Sequence, residues 1–221
     1  MIRIICGAGR YADPWHPFVE TSAAIGAVAD TLDAEHTIVP VTPDALGDLD
    51  RVDLLVVNVG GGGPDPEFAP DPAWAEAFTV AEAWLRDGGA MLAHHQASNG
   101  FPDWPGYRTL LGGEWRPGTS MHPPISDAVF EAVPGREADP LLGGRAEFAA
   151  FDERYSKMIM GADVEPVLQH VLDGEPQPVV WRRRDPGLNI IVDLLGHDAR
   201  SFESPGRRAL MAAELTELLR S

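Results

Sequence analysis

The chain has 221 residues, 44% hydrophobic and 23% charged, a balance that supports a packed core. Its 34 Asp and Glu against 17 Lys and Arg give a formal net charge of −17, which repels phosphate backbones and argues against a nucleic-acid partner. One cysteine excludes an internal disulfide and a thiolate-rich metal centre, and no run of about 18 apolar residues is present to span a membrane.

Apolar runs alternate with amphipathic stretches, the pattern of a parallel sheet covered by helices. Residues 2–6 predict a buried first strand. They lack the long apolar centre of a signal peptide, so a cytoplasmic location is expected. Phe18, Ala24, Ile25, Val28 and Leu32 recur at helical spacing over residues 17–32. Residues 36–41 read as a second strand, and residues 52–58 as a third, apolar enough for the sheet interior. A glycine- and proline-rich loop follows from Gly60. Asp71 is placed to cap a helix over 71–86, with Pro72 in its first turn. Gly88-Gly89 ends it, and Ala90 to Ala93 begins a fourth strand.

Residues 98–147 are less periodic and rich in Pro, Gly and Trp, which predicts a loop region carrying one or two further strands. Residues 164–171, 178–183 and 188–195 read as strands, and 205–219 as a closing amphipathic helix. Arg182-Arg183-Arg184 reads as a solvated strand end. No internal repeat or long linker is visible, so one domain over 1–221 is expected.

In open parallel sheets, ligands bind beyond the carboxyl ends of the strands. His94, His95 and His197 each follow a predicted strand directly, and His16 lies in the loop after the first. Neutral imidazole ligates divalent metals and transfers protons near neutral pH, so this clustering predicts a histidine-bearing pocket. Of the adjacent pair, His94 is taken as facing inward while His95 secures the turn. His122 lies in the loop-rich middle and is within reach of the same edge. In Asp152-Glu153 adjacent side chains diverge, so one carboxylate faces the pocket and the other pairs with an arginine. Trp15, Trp104 and Trp115 offer flat faces for a sugar ring. The glycines after Asn58 lack the Lys-Ser or Lys-Thr of a phosphate loop, and Gly7-Ala8-Gly9 lacks the third glycine of a dinucleotide fingerprint. There is no Gly-x-Ser-x-Gly elbow. Cys6 ends the first strand and is expected to be buried, which leaves it a poor nucleophile.

Trp15-His16-Pro17-Phe18, the 53–58 strand, Trp84 to Gly89, Ala97-Ser98, Phe101 to Tyr107, Leu111-Gly112-Gly113, Asp152 to Tyr155, Val180-Trp181 and Gly196-His197-Asp198 fall in an order that resembles the ThuA-like (trehalose utilisation) family. That family sits within the class I glutamine amidotransferase-like superfamily, and the resemblance covers almost the whole chain. It implies a flavodoxin-like three-layer α/β/α sandwich with a mostly parallel, doubly wound sheet. It also implies that the turn after the fourth strand, which carries the catalytic cysteine in amidotransferases, here carries His94 and His95; thioester chemistry is thereby disfavoured. The chain departs from the family pattern in having two histidines at that turn, in lacking a Gly-Lys-Gly-Arg turn before the last strand, and in placing Asn189 where a basic residue is common.

The expected function is a sugar-active enzyme of disaccharide or keto-sugar catabolism, a hydrolase or an isomerase. The alternative is a non-catalytic carbohydrate-binding or regulatory protein. His94, His95, Glu153 and His197 are the expected catalytic residues, and His94, His122 and His197 the expected ligands of a divalent metal such as zinc. His16, Asn58, Trp104, Trp115, Tyr155 and Asp198 are expected to bind substrate. A small molecule, a sugar, is the expected partner, with no nucleic acid and no membrane; homo-oligomerisation stays open.

Overall fold

The computed structural model describes residues 1–62, 68–183, 185 and 187–220. Residues 63–67 of the glycine- and proline-rich loop, and Arg184 and Pro186 near the predicted last strand, lie outside the described residues.

The first half of the chain folds as its periodicities predict. Strand β1 (Ile2–Cys6) leads to helix α1 (Phe18–Asp30), β2 (His36–Pro40), the short α2 (Pro43–Gly47), β3 (Leu54–Asn58), α3 (Pro72–Arg86) and β4 (Ala90–His94). The cap on α3 is the expected one: the Asp71 carboxylate accepts from the Ala73 N–H at 3.0 Å, with Pro72 opening the helix. Trp74, Ala77, Phe78, Ala81 and Leu85 then recur at helical spacing and are buried.

In the middle, α4 (Tyr107–Leu111) and a two-residue strand β5 (Gly113–Glu114) precede β6 (Ser126–Ala132) and β7 (Glu147–Asp152). A second short strand, β8 (Ile159–Met160), pairs with β5 apart from the main sheet. Strands β9 (Val164–Leu172), β10 (Glu175–Arg183) and β11 (Asn189–Asp193) follow, and α5 (Pro205–Arg220) closes the described chain.

The main sheet runs β2-β1-β3-β4-β11-β10-β9-β6-β7. From β2 to β11 the neighbours are parallel; from β11 to β7 they are antiparallel. The chain moves outward from β1 to β2, then returns to add β3 and β4 on the other side. Right-handed crossovers therefore send α1 and α3 to opposite faces. Helix α5 joins α1, and α2 packs beside α3. The point where strand order reverses lies between β1 and β3, and the loops after these strands open there. The sheet interior is apolar on both faces: every residue of β3 and β4 is buried, among them Leu54, Val56, Met91 and Leu92.

One expectation is corrected by burial. Arg182 and Arg183 are not a solvated strand end: they are 7% and 6% exposed. Arg182 pairs with Asp139 at 2.7 Å and also with Glu217, while Arg183 donates to the carbonyls of Leu110 and Asp163. The inner face of α5 carries charged as well as apolar residues. Arg207 and Glu214 are fully buried there, and Arg207 meets the Asp193 carboxylate at the end of β11 at 2.5 Å. Burial, reinforced by the Asp193 charge, pushes Glu214 well above the usual carboxylate range. Among the described residues no helix is long and apolar enough to cross a membrane.

Candidate functional site

Adjacent strands β4 and β11 end in register, Asp193 opposite His94, so the turns that follow them leave the sheet side by side. At β4 the pleat decides which histidine reaches the edge. His94, still in the strand, points to the face covered by the turn before α5. Its ring is fully buried, stacks on Phe202 at 5.9 Å, and faces the Asn58 side-chain oxygen at 3.4 Å. Gly196 lies against it with φ 103°, and a Cβ at that position would meet the imidazole. Burial, with the charges of Arg207 and His95, holds His94 well below the usual imidazole range, so it stays neutral. The expectation that His94 faces the pocket is therefore corrected, and with it His94's expected place among catalytic and metal-binding groups.

His95 is the inward residue. It opens the turn with φ 48°, in the left-handed region that a non-glycine residue occupies only where its surroundings hold it. Its Nδ1 donates to the Leu194 carbonyl at 2.8 Å, which leaves Nε2 facing the Glu153 carboxylate. That Nε2 has no hydrogen-bond partner although it is buried.

Glu153 follows β7, and its Oε2 stands 3.6 Å from His95 Nε2 and 3.3 Å from His197 Nδ1. An arginine partner was expected for one of the two carboxylates; among the described residues Asp152 instead clamps the turn after β11. It accepts from the backbone N–H of Glu153, Gly196 and His197 and from the Ser201 hydroxyl. One carboxylate holds the loop that presents His197; the other faces His197. Burial works to raise the Glu153 pKa, but His197 and His95 outweigh it and hold the carboxyl well below its usual range. On His197, burial works downward and the Glu153 carboxylate outweighs it, so its pKa is raised.

His16 comes from the loop after β1. Its Nδ1 lies 2.7 Å from the buried Asp13 carboxylate, and its ring packs edge-on against His95 and His197 at 5.1 and 4.9 Å. Burial, with the His95 and His197 charges, holds His16 below its usual value against the opposing pull of Asp13. One ligating atom from each of His16, His95, Glu153 and His197 lies within 4.8 Å of the others.

His16, Glu153 and His197 line a cavity of about 530 Å³ whose walls include Trp15, Trp115, Tyr155 and His122, and His95 is buried beside them. Tyr155 donates to the Gln96 side-chain oxygen at 2.7 Å, fixing an amide at the wall, and Asn99 adds a second. A larger cavity of about 650 Å³, between α3 and the 103–105 turn, holds no histidine. Trp104 lines that cavity, stacked on Phe78 at 4.8 Å, so its expected substrate role at the histidine pocket is corrected.

Three further expectations are corrected. Asn58 is buried; its amide donates to the Phe18 carbonyl and to Thr21 and Ser22, tying β3 to α1. Asp198 caps the turn over 199–203 and pairs with Arg200. His122 sits at the mouth, 37% exposed, with Nδ1 at 3.5 Å from the other Glu153 oxygen, and is outside the converging set. Asp13, Gln96 and Asn99 were not anticipated. The only trace of Asp13 in the sequence is its place three residues before His16.

The donor set suits a divalent ion on the structure's own terms. His95 Nε2 and His197 Nδ1 are buried polar atoms without a hydrogen-bond partner, both aimed at an ionised carboxylate. Ligands about 2.1 Å from zinc in a tetrahedron stand about 3.4 Å apart. The His95–Glu153 and His197–Glu153 separations of 3.6 and 3.3 Å are close to that edge. His16 and His95 each engage Nδ1 with an acceptor, the outer-shell arrangement typical of ligating histidines.

The sheet order and the turn after β4 give a flavodoxin-like α/β fold in which His95 stands at that turn and Cys6 is buried at the end of β1. The family model for ThuA, trehalose utilisation, matches residues 15–214, and the chain belongs to that family. A ThuA-like protein from Parabacteroides merdae has a similar structure, with a TM-score of 0.78 at 16% identity over 99% of this chain and 89% of that one. A ThuA-like protein from Bacteroides uniformis gives 0.69 at 17% identity, covering 98% of this chain and 89% of that one. A glutamine amidotransferase from Thermotoga maritima gives 0.62 at 12% identity over 100% and 98%. No curated protein matches the sequence.

Proposed function

We propose that this chain is a sugar-active enzyme, a hydrolase or isomerase, whose pocket holds a divalent first-row ion such as zinc on His16, His95, His197 and Glu153. The carrying observation is the convergence of those four ligating atoms at the carboxyl edge of the sheet, three of their residues lining an aromatic-walled pocket there. Trehalose utilisation, the description of the family, supports a carbohydrate substrate. Bound there, the ion would polarise a carbonyl or activate a water. Trp15, which is 55% exposed, and Trp115 present ring faces for the apolar side of a sugar, while Gln96 and Asn99 provide hydrogen bonds to hydroxyls. Asp152 keeps the His197 loop in place, and the Leu194 carbonyl fixes the His95 ring.

Turnover of neutral disaccharides and their keto forms, stopped by a chelator and restored by zinc, is the expected result. Saturable sugar binding with no turnover under any metal would overturn the enzyme reading in favour of a binding protein. The two adjacent histidines separate cleanly in this account. His94→Ala should lower the melting temperature, because it empties a buried site beside Phe202. It should leave zinc affinity within about threefold, as expected of a residue outside the ligand set. His95→Ala should reduce zinc affinity severely. Calorimetric zinc titration of both variants checks this, and equal losses would contradict it.

A further inference from the structure

We propose that Asp13 is a positioning residue that fixes His16 in the tautomer whose Nε2 lone pair faces His95, His197 and Glu153; its part in metal binding rests on the reading above. The Asp13 side chain is fully buried, and His16 is 9% exposed. Its Oδ1 accepts from the backbone N–H of Trp15 at 2.9 Å and of His16 at 3.0 Å, which curls the loop around the carboxylate. Both oxygens then meet His16 Nδ1, at 2.7 and 2.9 Å. An ionised carboxylate only accepts, and a neutral imidazole carries one ring proton. That proton therefore sits on Nδ1, and Nε2 is left as the ligating atom.

The neighbouring strand makes room for this arrangement. Gly60, in the loop after β3, donates its N–H to the Tyr11 carbonyl at 2.8 Å, bringing the two loops together at the reversal of strand order. A Cβ at Gly60 would stand 2.6 Å from Asp13 Oδ2. His95 is oriented in the same sense by the Leu194 carbonyl at 2.8 Å. Two rings, one in the loop after β1 and one in the turn after β4, are thus each held by an acceptor at Nδ1. For His16 the acceptor is a charged side chain that mutation can change.

Asp13→Asn separates positioning from loop capping. The amide oxygen keeps the bonds from the Trp15 and His16 N–H groups, while the amide nitrogen brings a donor to the imidazole and favours the opposite tautomer. The experiment records long-range proton–nitrogen correlation spectra of zinc-free, ¹⁵N-labelled wild type and Asp13→Asn, with His16 assigned through His16→Gln, followed by zinc titration of each. Wild type is expected to show protonated Nδ1 on His16, and Asp13→Asn to lose that state and bind zinc about 10–100-fold more weakly. Protonated Nε2 in wild-type His16, or unchanged zinc affinity in a folded Asp13→Asn, overturns the proposal. If wild type takes up no zinc, the metal reading fails, and the tautomer spectra decide the positioning role alone. Should Asp13→Asn not fold, the wild-type spectrum still carries the decision.

Discussion

Glu153→Gln is expected to abolish tight zinc binding, lowering affinity by about 100-fold or more, and to remove turnover with it. Glu153 is the anionic donor of the set, and its Oε2 faces both His95 and His197. Glutamine keeps the shape but not the charge, and a neutral amide is a far poorer ligand for a first-row ion than a carboxylate. The carboxylate also raises the His197 pKa, so the variant should move that value back down. The sign matters for pH dependence. Ligating histidines must be deprotonated, so zinc affinity in wild type should fall as pH is lowered through the His197 titration. In Glu153→Gln that fall should begin at a lower pH. Competitive zinc titration at several pH values measures both effects, and wild-type affinity in Glu153→Gln would refute the assignment.

The second large effect is expected on stability. Asp152→Ala removes a fully buried carboxylate that satisfies three backbone N–H groups and the Ser201 hydroxyl. A buried donor left without a partner costs about 1–3 kcal/mol, and relaxation of the loop recovers part of that. A net loss of about 3–4 kcal/mol is expected, which for a chain of this length lowers the melting temperature by about 10 °C. Because the same bonds hold Gly196 and His197, zinc affinity should fall as well, although Asp152 is not itself a ligand. Asp152→Asn should be intermediate, since an amide can accept from some of these donors while opposing others with its own N–H. Thermal unfolding of zinc-free protein checks the prediction. A loss below about 1 kcal/mol would show that the clamp contributes little.

Much of the fold was legible because local chemistry and burial agree along β1 to β4. The α3 cap at Asp71, the fully buried β3 and the glycine-terminated α3 each follow from a single local rule. The position of the site was legible too, because strand ends in a parallel sheet are where loops can carry chemistry, and His95, His197 and His16 all follow strands. What failed was the orientation of individual side chains. His94 and His95 are identical in type and adjacent; only the left-handed backbone at His95 and the packing of Phe202 against His94 separate them. Asn58, Trp104 and Asp198 lie near strand ends or turns like the true pocket residues, yet each is consumed by a structural partner distant in sequence or by its own cap. Asp13 is illegible for the converse reason: an aspartate in a loop is ordinary, and only the fold buries this one fully against an imidazole. The burial of Arg182 is not legible locally because its carboxylate partners lie 43 and 35 residues away.

The central claim, that His16, His95, Glu153 and His197 form one metal centre, is tested most directly by anomalous diffraction from crystals of untagged protein soaked in zinc. One strong peak at the zinc edge, within bonding distance of all four side chains and absent from Glu153→Gln crystals, is the predicted result. A zinc-saturated crystal with no peak among these residues, or with its peak on His122 and His94 instead, would contradict it.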